Sequence, residues 1–82
     1  MINVLTKEEI NKEKITKFIV SFNNYPYNNE LFKVLHVNDD EMAFWCERIE
    51  LSLLGDNIVV YDYNNNIIGM IKIEKIKDIW YC

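Results

Sequence analysis

From Ile58 to Glu74 the chain carries two apolar runs, Ile58-Val59-Val60-Tyr61 and Ile67-Ile68-Gly69-Met70-Ile71, on either side of Asn64-Asn65-Asn66. β-branched and aromatic residues bounded by turn residues read as strands. The spacing predicts strands over Ile58–Tyr63 and Ile67–Glu74, joined by a three-residue loop. Such a loop needs one left-handed position, and asparagine is the best substitute for glycine there. A two-stranded unit is not stable by itself, so the rest of the chain has to supply a cover for one face of this hairpin.

The cover is sought N-terminal to it. Met1–Leu5 alternates apolar and polar residues and is expected to form a short first strand. Thr6 and Glu9 have capping-box spacing, with Leu5 and Ile10 as a hydrophobic staple. A helix over Lys7–Phe22 follows, with Ile10, Phe18, Ile19 and Phe22 on its apolar face and Ile15 near the edge. Asn23–Asn29 reads as a loop, because Pro26 disfavours a helical Tyr25. Glu30–His36 reads as a short helix. Asn38 can cap a second long helix, with Asp39, Asp40 and Glu41 in its first turn. Along it Met42, Trp45, Cys46, Ile49 and Leu53 recur at i, i+3, i+4, i+7 and i+11. Gly55 is placed to end that helix in a left-handed conformation. Phe44 lies off the stripe, as expected of a helix covered on more than one side or of a binding patch. Lys75–Asp78 reads as a turn, and Ile79-Trp80-Tyr81-Cys82 is a candidate for a last strand with an unpaired edge.

The expected fold is therefore α+β, with two main helices packed on a small antiparallel sheet in β-α-α-β-β order. Its 82 residues make one small domain, marginal for a single core. No apolar run approaches the roughly 18 residues of a membrane span. The first residues lack the basic start and apolar stretch of a signal peptide, which places the chain in the cytosol.

Charge and motif content narrow the function. The net charge is −4, and residues 30–62 carry eight acids against Lys33 and Arg48. An acidic middle repels nucleic acid and suits a basic partner surface. Asp39-Asp40-Glu41 lacks the spaced acids and glycine of a calcium loop, so helix capping is the better reading. His36 is the lone histidine and reads as a surface or helix-end residue. Cys46 reads as a buried helix residue, and the two cysteines fit neither a zinc site nor a disulfide framework. No phosphate-binding loop or nucleophile elbow is present. Catalytic, cofactor and metal residues are therefore expected to be absent. Tyr25, Tyr27, Tyr61, Tyr63, Trp80 and Tyr81 combine apolar bodies with polar tips, as residues at interfaces do.

The strand–turn–strand unit resembles the central hairpin of the GNAT acetyltransferase superfamily. Ile67-Ile68-Gly69 after a short polar turn is similar to that family's third strand, and Asp62–Asn66 to the turn before it. The resemblance covers the N-terminal half of the family's domain. The family's acetyl-coenzyme A loop, R/Q-x-x-G-x-G/A, has no counterpart: Gly55 and Gly69 sit in no such loop, so no residue inherits the cofactor role. The resemblance implies a cut-down derivative without transferase activity, or an acetyltransferase-like half-domain that dimerises to complete its sheet and retains some acyl-group chemistry.

The functional expectation is a non-enzymatic protein-binding module. Asp39, Asp40, Glu41, Glu47 and Glu50 would meet a basic surface, with Tyr61, Tyr63, Trp80 and Tyr81 as the aromatic contacts. Heavy use of Asn, Ile and Lys, with AT-rich codons, suits a phage or mobile element of a low-GC bacterium. An inhibitor of a host defence complex, of the anti-CRISPR kind, is one form of such a module. A toxin-neutralising or immunity protein is another, and a homodimer through the sheet edge is the alternative assembly.

Overall fold

The computed structural model describes residues 4–24 and 31–81. Tyr25, Tyr27, Glu30 and Cys82 lie outside the described residues. So does most of the loop expected over Asn23–Asn29.

Strand β1 (Val4–Thr6) runs into a 3-10 turn over Lys7–Glu9. The Glu9 carboxylate accepts from both the Thr6 amide and the Thr6 hydroxyl, which satisfies a donor at this turn. The helix expected from Lys7 begins later. Asn11 is extended and its side chain accepts from the Lys14 amide at 2.9 Å, so it caps α1 (Lys12–Asn23) afresh. Ile15, Phe18, Ile19 and Phe22 are all buried, and this spacing is what holds the helix on the core. Past its end, Asn24 donates its side-chain amide to the Val20 carbonyl.

The remaining elements are strands: β2 (Leu31–His36), β3 (Glu41–Trp45), β4 (Arg48–Leu51), β5 (Asn57–Tyr61), β6 (Ile67–Lys72) and β7 (Ile76–Tyr81), with a 3-10 turn over Ile73–Lys75 before β7. They form a four-stranded sheet in the order β1-β7-β2-β3 and a three-stranded sheet in the order β4-β5-β6. All pairings are antiparallel.

The expectation of two helices on a small sheet is overturned. The short helix at Glu30–His36 is β2, and the long helix from Asn38 to Leu53 is β3, a bend at Cys46–Glu47, β4 and a turn. Asn38 and Asp39 make a hairpin turn: the Asp39 amide donates to the His36 carbonyl and the His36 amide to the Asp40 carbonyl, both at 2.8 Å. Asp39 has φ +70°. The side-chain oxygen that would cap a helix accepts from the Asp40 amide instead. Asp62–Asn66 repeats the geometry, with Asn65 at φ +65°, which is the left-handed asparagine the sequence calls for. Gly55, at φ +77°, serves the β4–β5 turn and ends no helix.

The expected unpaired last strand is also corrected. β7 lies inside the four-stranded sheet, with Ile79 opposite Leu5 on one side and Val34 on the other.

One core joins the two sheets and the helix. It gathers Leu5, Phe32, Val34, Ile79 and Tyr81 from the four-stranded sheet with Ile49, Ile58, Val60 and Ile71 from the three-stranded sheet. Phe18 and Phe22 meet Tyr81 edge-on at 5.5 and 5.2 Å between centroids.

Candidate protein-binding surface

The helix covers one face of the four-stranded sheet, through Phe18 and Phe22 on Phe32 and Tyr81. The strands alternate, so the other face carries the residues between. A row crosses it from Val4 to Trp80 to Lys33 to Ala43, and beside it Leu31 stands opposite Trp45. Trp45 is 65% exposed, Val4 and Ala43 are exposed, and Trp80 is half-buried. Lys33 sends its ammonium to Glu41 at 3.7 Å, leaving its stem among these apolar neighbours. The far end of the face turns polar, with Glu41 opposite Leu35 and Leu35 opposite Asp78.

A second apolar feature is the β4–β5 turn. Leu53 is fully exposed and Leu54 is 86% exposed. The turn is firmly held: the Ser52 amide donates to the Asn57 carbonyl, and the Ser52 hydroxyl donates to Asp56 at 3.0 Å. An open cleft of about 390 Å³ beside it is lined by Gly55, Asp56, Lys72, Ile73 and Glu74.

The acids expected to meet one basic surface are split between two places, because there is no helix to align them. Asp39 and Asp40 lie in the β2–β3 turn, where Asp39 pairs with Lys77 at 3.1 Å. Glu41 starts β3. Glu47 and Glu50 flank Arg48, at 3.5 and 2.7 Å. Arg48 also lies 4.0 Å above the Tyr61 ring and donates to Asn65. Its pKa is raised chiefly by the hydrogen bond to Glu50. Glu47, Glu50 and Tyr61 are thus engaged with one cation of the chain itself.

The aromatic residues separate similarly. Tyr81 is 2% exposed, and its hydroxyl shares a 2.6 Å hydrogen bond with Ser21, so it belongs to the core. Tyr63 is exposed in the asparagine turn. Trp80 alone of the four lies on the open sheet face. Trp45, Leu53 and Leu54 were not among the expected contacts: a helical stripe turned Trp45 and Leu53 inward. The signals that point elsewhere are the period-2 alternation of Glu41–Phe44 and the Gly55-Asp56-Asn57 turn.

For chemistry the described residues offer little. Cys46 is buried at the β3–β4 bend, and burial pushes its thiol up to about 12, far from a thiolate at neutral pH. His36 is joined to Asn38 at 2.7 Å. Among the described residues no three His, Cys, Asp or Glu side chains come together as a metal site, and no helix is long and apolar enough to cross a membrane. Comparison of the chain with protein-family models, with curated proteins and with solved structures finds no match.

Proposed function

We propose that the chain is a cytosolic, non-enzymatic protein-binding module and that it binds through the open face of its four-stranded sheet. The observation that carries this is the exposed Trp45, set on one sheet face with Trp80, Val4, Leu31 and Ala43. Buried tryptophans anchor interfaces, and burying this one in a partner gains area that folding leaves unused. Glu41, Asp78 and the Asp39-Asp40 turn rim the face. The partner that fits is a protein with an apolar patch bordered by lysine or arginine. Occlusion of a basic surface on a defence complex and neutralisation of a toxin are two forms of this activity, distinguished by which protein is bound.

The test is affinity capture from lysate with the wild-type protein, with Trp45→Ala, and with Leu53→Ser as a control away from the face. The expected result is a protein retained by wild type and L53S and lost with W45A, and released as salt is raised. Equal retention by W45A removes the face from the reading.

A further inference from the structure

The two sheets have four edges, and three of them are guarded. Among the described residues β1 spans three, Val4–Thr6. β4 is closed by the helix: the Asn23 side chain donates to the Ile49 carbonyl at 2.8 Å and accepts from the Ile49 amide at 3.0 Å, so it stands in for a neighbouring strand. β6 carries an extra residue, Ile68, where its register with β5 shifts between Val60 and Tyr61 of β5, and an irregular edge pairs poorly.

Among the described residues β3 has none of these devices. Its five residues pair with β2 without a slip, from Leu31 opposite Trp45 to Leu35 opposite Glu41, and contain no proline, glycine or lysine. The phase of this ladder follows from the bond of the His36 amide to the Asp40 carbonyl. Antiparallel pairs alternate between hydrogen-bonded and non-hydrogen-bonded. The bonded pairs are then His36/Asp40, Val34/Met42 and Phe32/Phe44. Glu41, Ala43 and Trp45 direct their amides and carbonyls away from β2, toward the open edge.

We infer that β3 pairs with β3 of a second copy, antiparallel, about a two-fold axis at Ala43. The centre at Ala43 is the one that keeps all five residues opposite a partner. Ala43 faces Ala43 of the second copy, Glu41 faces Trp45, and Met42 faces Phe44. All outward-directed groups then meet one another, making about six hydrogen bonds across the joint. No like charges stand opposite, because Glu41 is the strand's one charged residue and its counterpart is a tryptophan. The smallest side chain of the strand lies on the axis. Met42 and Phe44, half-buried at the edge, cover each other across it, a favourable sulfur–aromatic arrangement. The interface is isologous and closes on itself, so it makes a dimer and not a fibre. It joins the two four-stranded sheets into one of eight strands. This inference does not rest on the proposed binding face: it is read by mass, with no third protein present.

The test is light scattering on a sizing column over a concentration series, with wild type, Ala43→Lys, Ala43→Pro and Ala43→Ser. The side chain at 43 is exposed, so A43K keeps the fold and sets two lysines against each other at the axis. A43P removes an edge donor that makes no bond to β2. The expected masses are dimer for wild type and A43S and monomer for A43K and A43P, with added salt restoring part of the A43K dimer. Circular dichroism checks the fold of each variant. A wild type that stays monomeric at high concentration overturns the inference and leaves the edge to a strand of another protein. A dimer that survives A43K overturns it as well.

Discussion

Two glycines separate two reasons for lacking a side chain. A Cβ on Gly69 would stand 2.6 and 2.8 Å from the Phe44 ring, inside any contact real Cβ atoms make. Gly69→Ala therefore requires the Phe44 ring to shift from its place against Phe32, and the expected loss is about 1–3 kcal/mol in urea unfolding. A smaller residue at 44 should recover part of it, because the two changes share one contact. At Gly55 nothing lies within 4 Å, but φ is +77°. Gly55→Ala meets only backbone strain, about 1 kcal/mol, and Gly55→Asn should lose less. Asp62 adds a pH dependence. Its carboxylate accepts from the Asn66 amide and the Asn64 amide at 2.9 and 2.8 Å, which lowers its pKa below the ordinary 3.8. A lowered folded pKa means the carboxylate adds stability above pH 3.8 and loses it as pH falls through the folded value. Asp62→Asn keeps an acceptor and cannot titrate. Thermal unfolding between about pH 5 and pH 2 should therefore show a shallower acid decline for D62N than for wild type.

Among the elements, Asn23 links the helix to the sheet whose edge it closes. Asn23→Ala leaves the amide and carbonyl of Ile49 without that partner. The expected cost is about 1–3 kcal/mol, measured by urea unfolding, while Asn24→Ala, on an exposed cap, should cost less. The parts of this architecture legible in the sequence are those with one dominant local signal. The β5–β6 hairpin is announced by its asparagines, and the α1 face by Phe18, Ile19 and Phe22. The stretch from Asn38 to Leu53 misleads for a definable reason. Met42 and Cys46, four apart, keep one strand parity, and Cys46 and Ile49 are three apart because the bend at Cys46–Glu47 shifts that parity between β3 and β4. Two short strands with a shifted phase thus imitate a 3.6-residue period. Asn38 and Asp39 deepen the imitation, since the residues that cap helices also tolerate left-handed turns. The open sheet face is hidden by the same error: Trp45, assigned to a helix interior, is among the most exposed apolar residues, as is Leu53 in the β4–β5 turn. Trp80 is legible as a strand residue, and it lies half-buried on the open face, whereas Tyr81, one residue on, turns to the opposite face and into the core.

At the scale of the molecule, the acidic middle does not produce one acidic patch. Lys33, Lys77 and Arg48 each hold acids beside them, so the surface is a mosaic of local pairs around two apolar features. The two sheets also differ in how their strands are connected. β4, β5 and β6 follow one another in the chain and pair with their neighbours in sequence. The four-stranded sheet is different, because β7 lies between β1 and β2. On a ribosome the three-stranded meander has all its pairing partners as soon as Lys72 emerges. By then β1 still lacks its neighbour, and β2, which already has β3 on one side, keeps its other flank open for β7. Insertion of β7 is thus the event that joins β1 to the rest of the sheet, and until it happens the nascent chain presents β1 and one flank of β2 to any chaperone nearby.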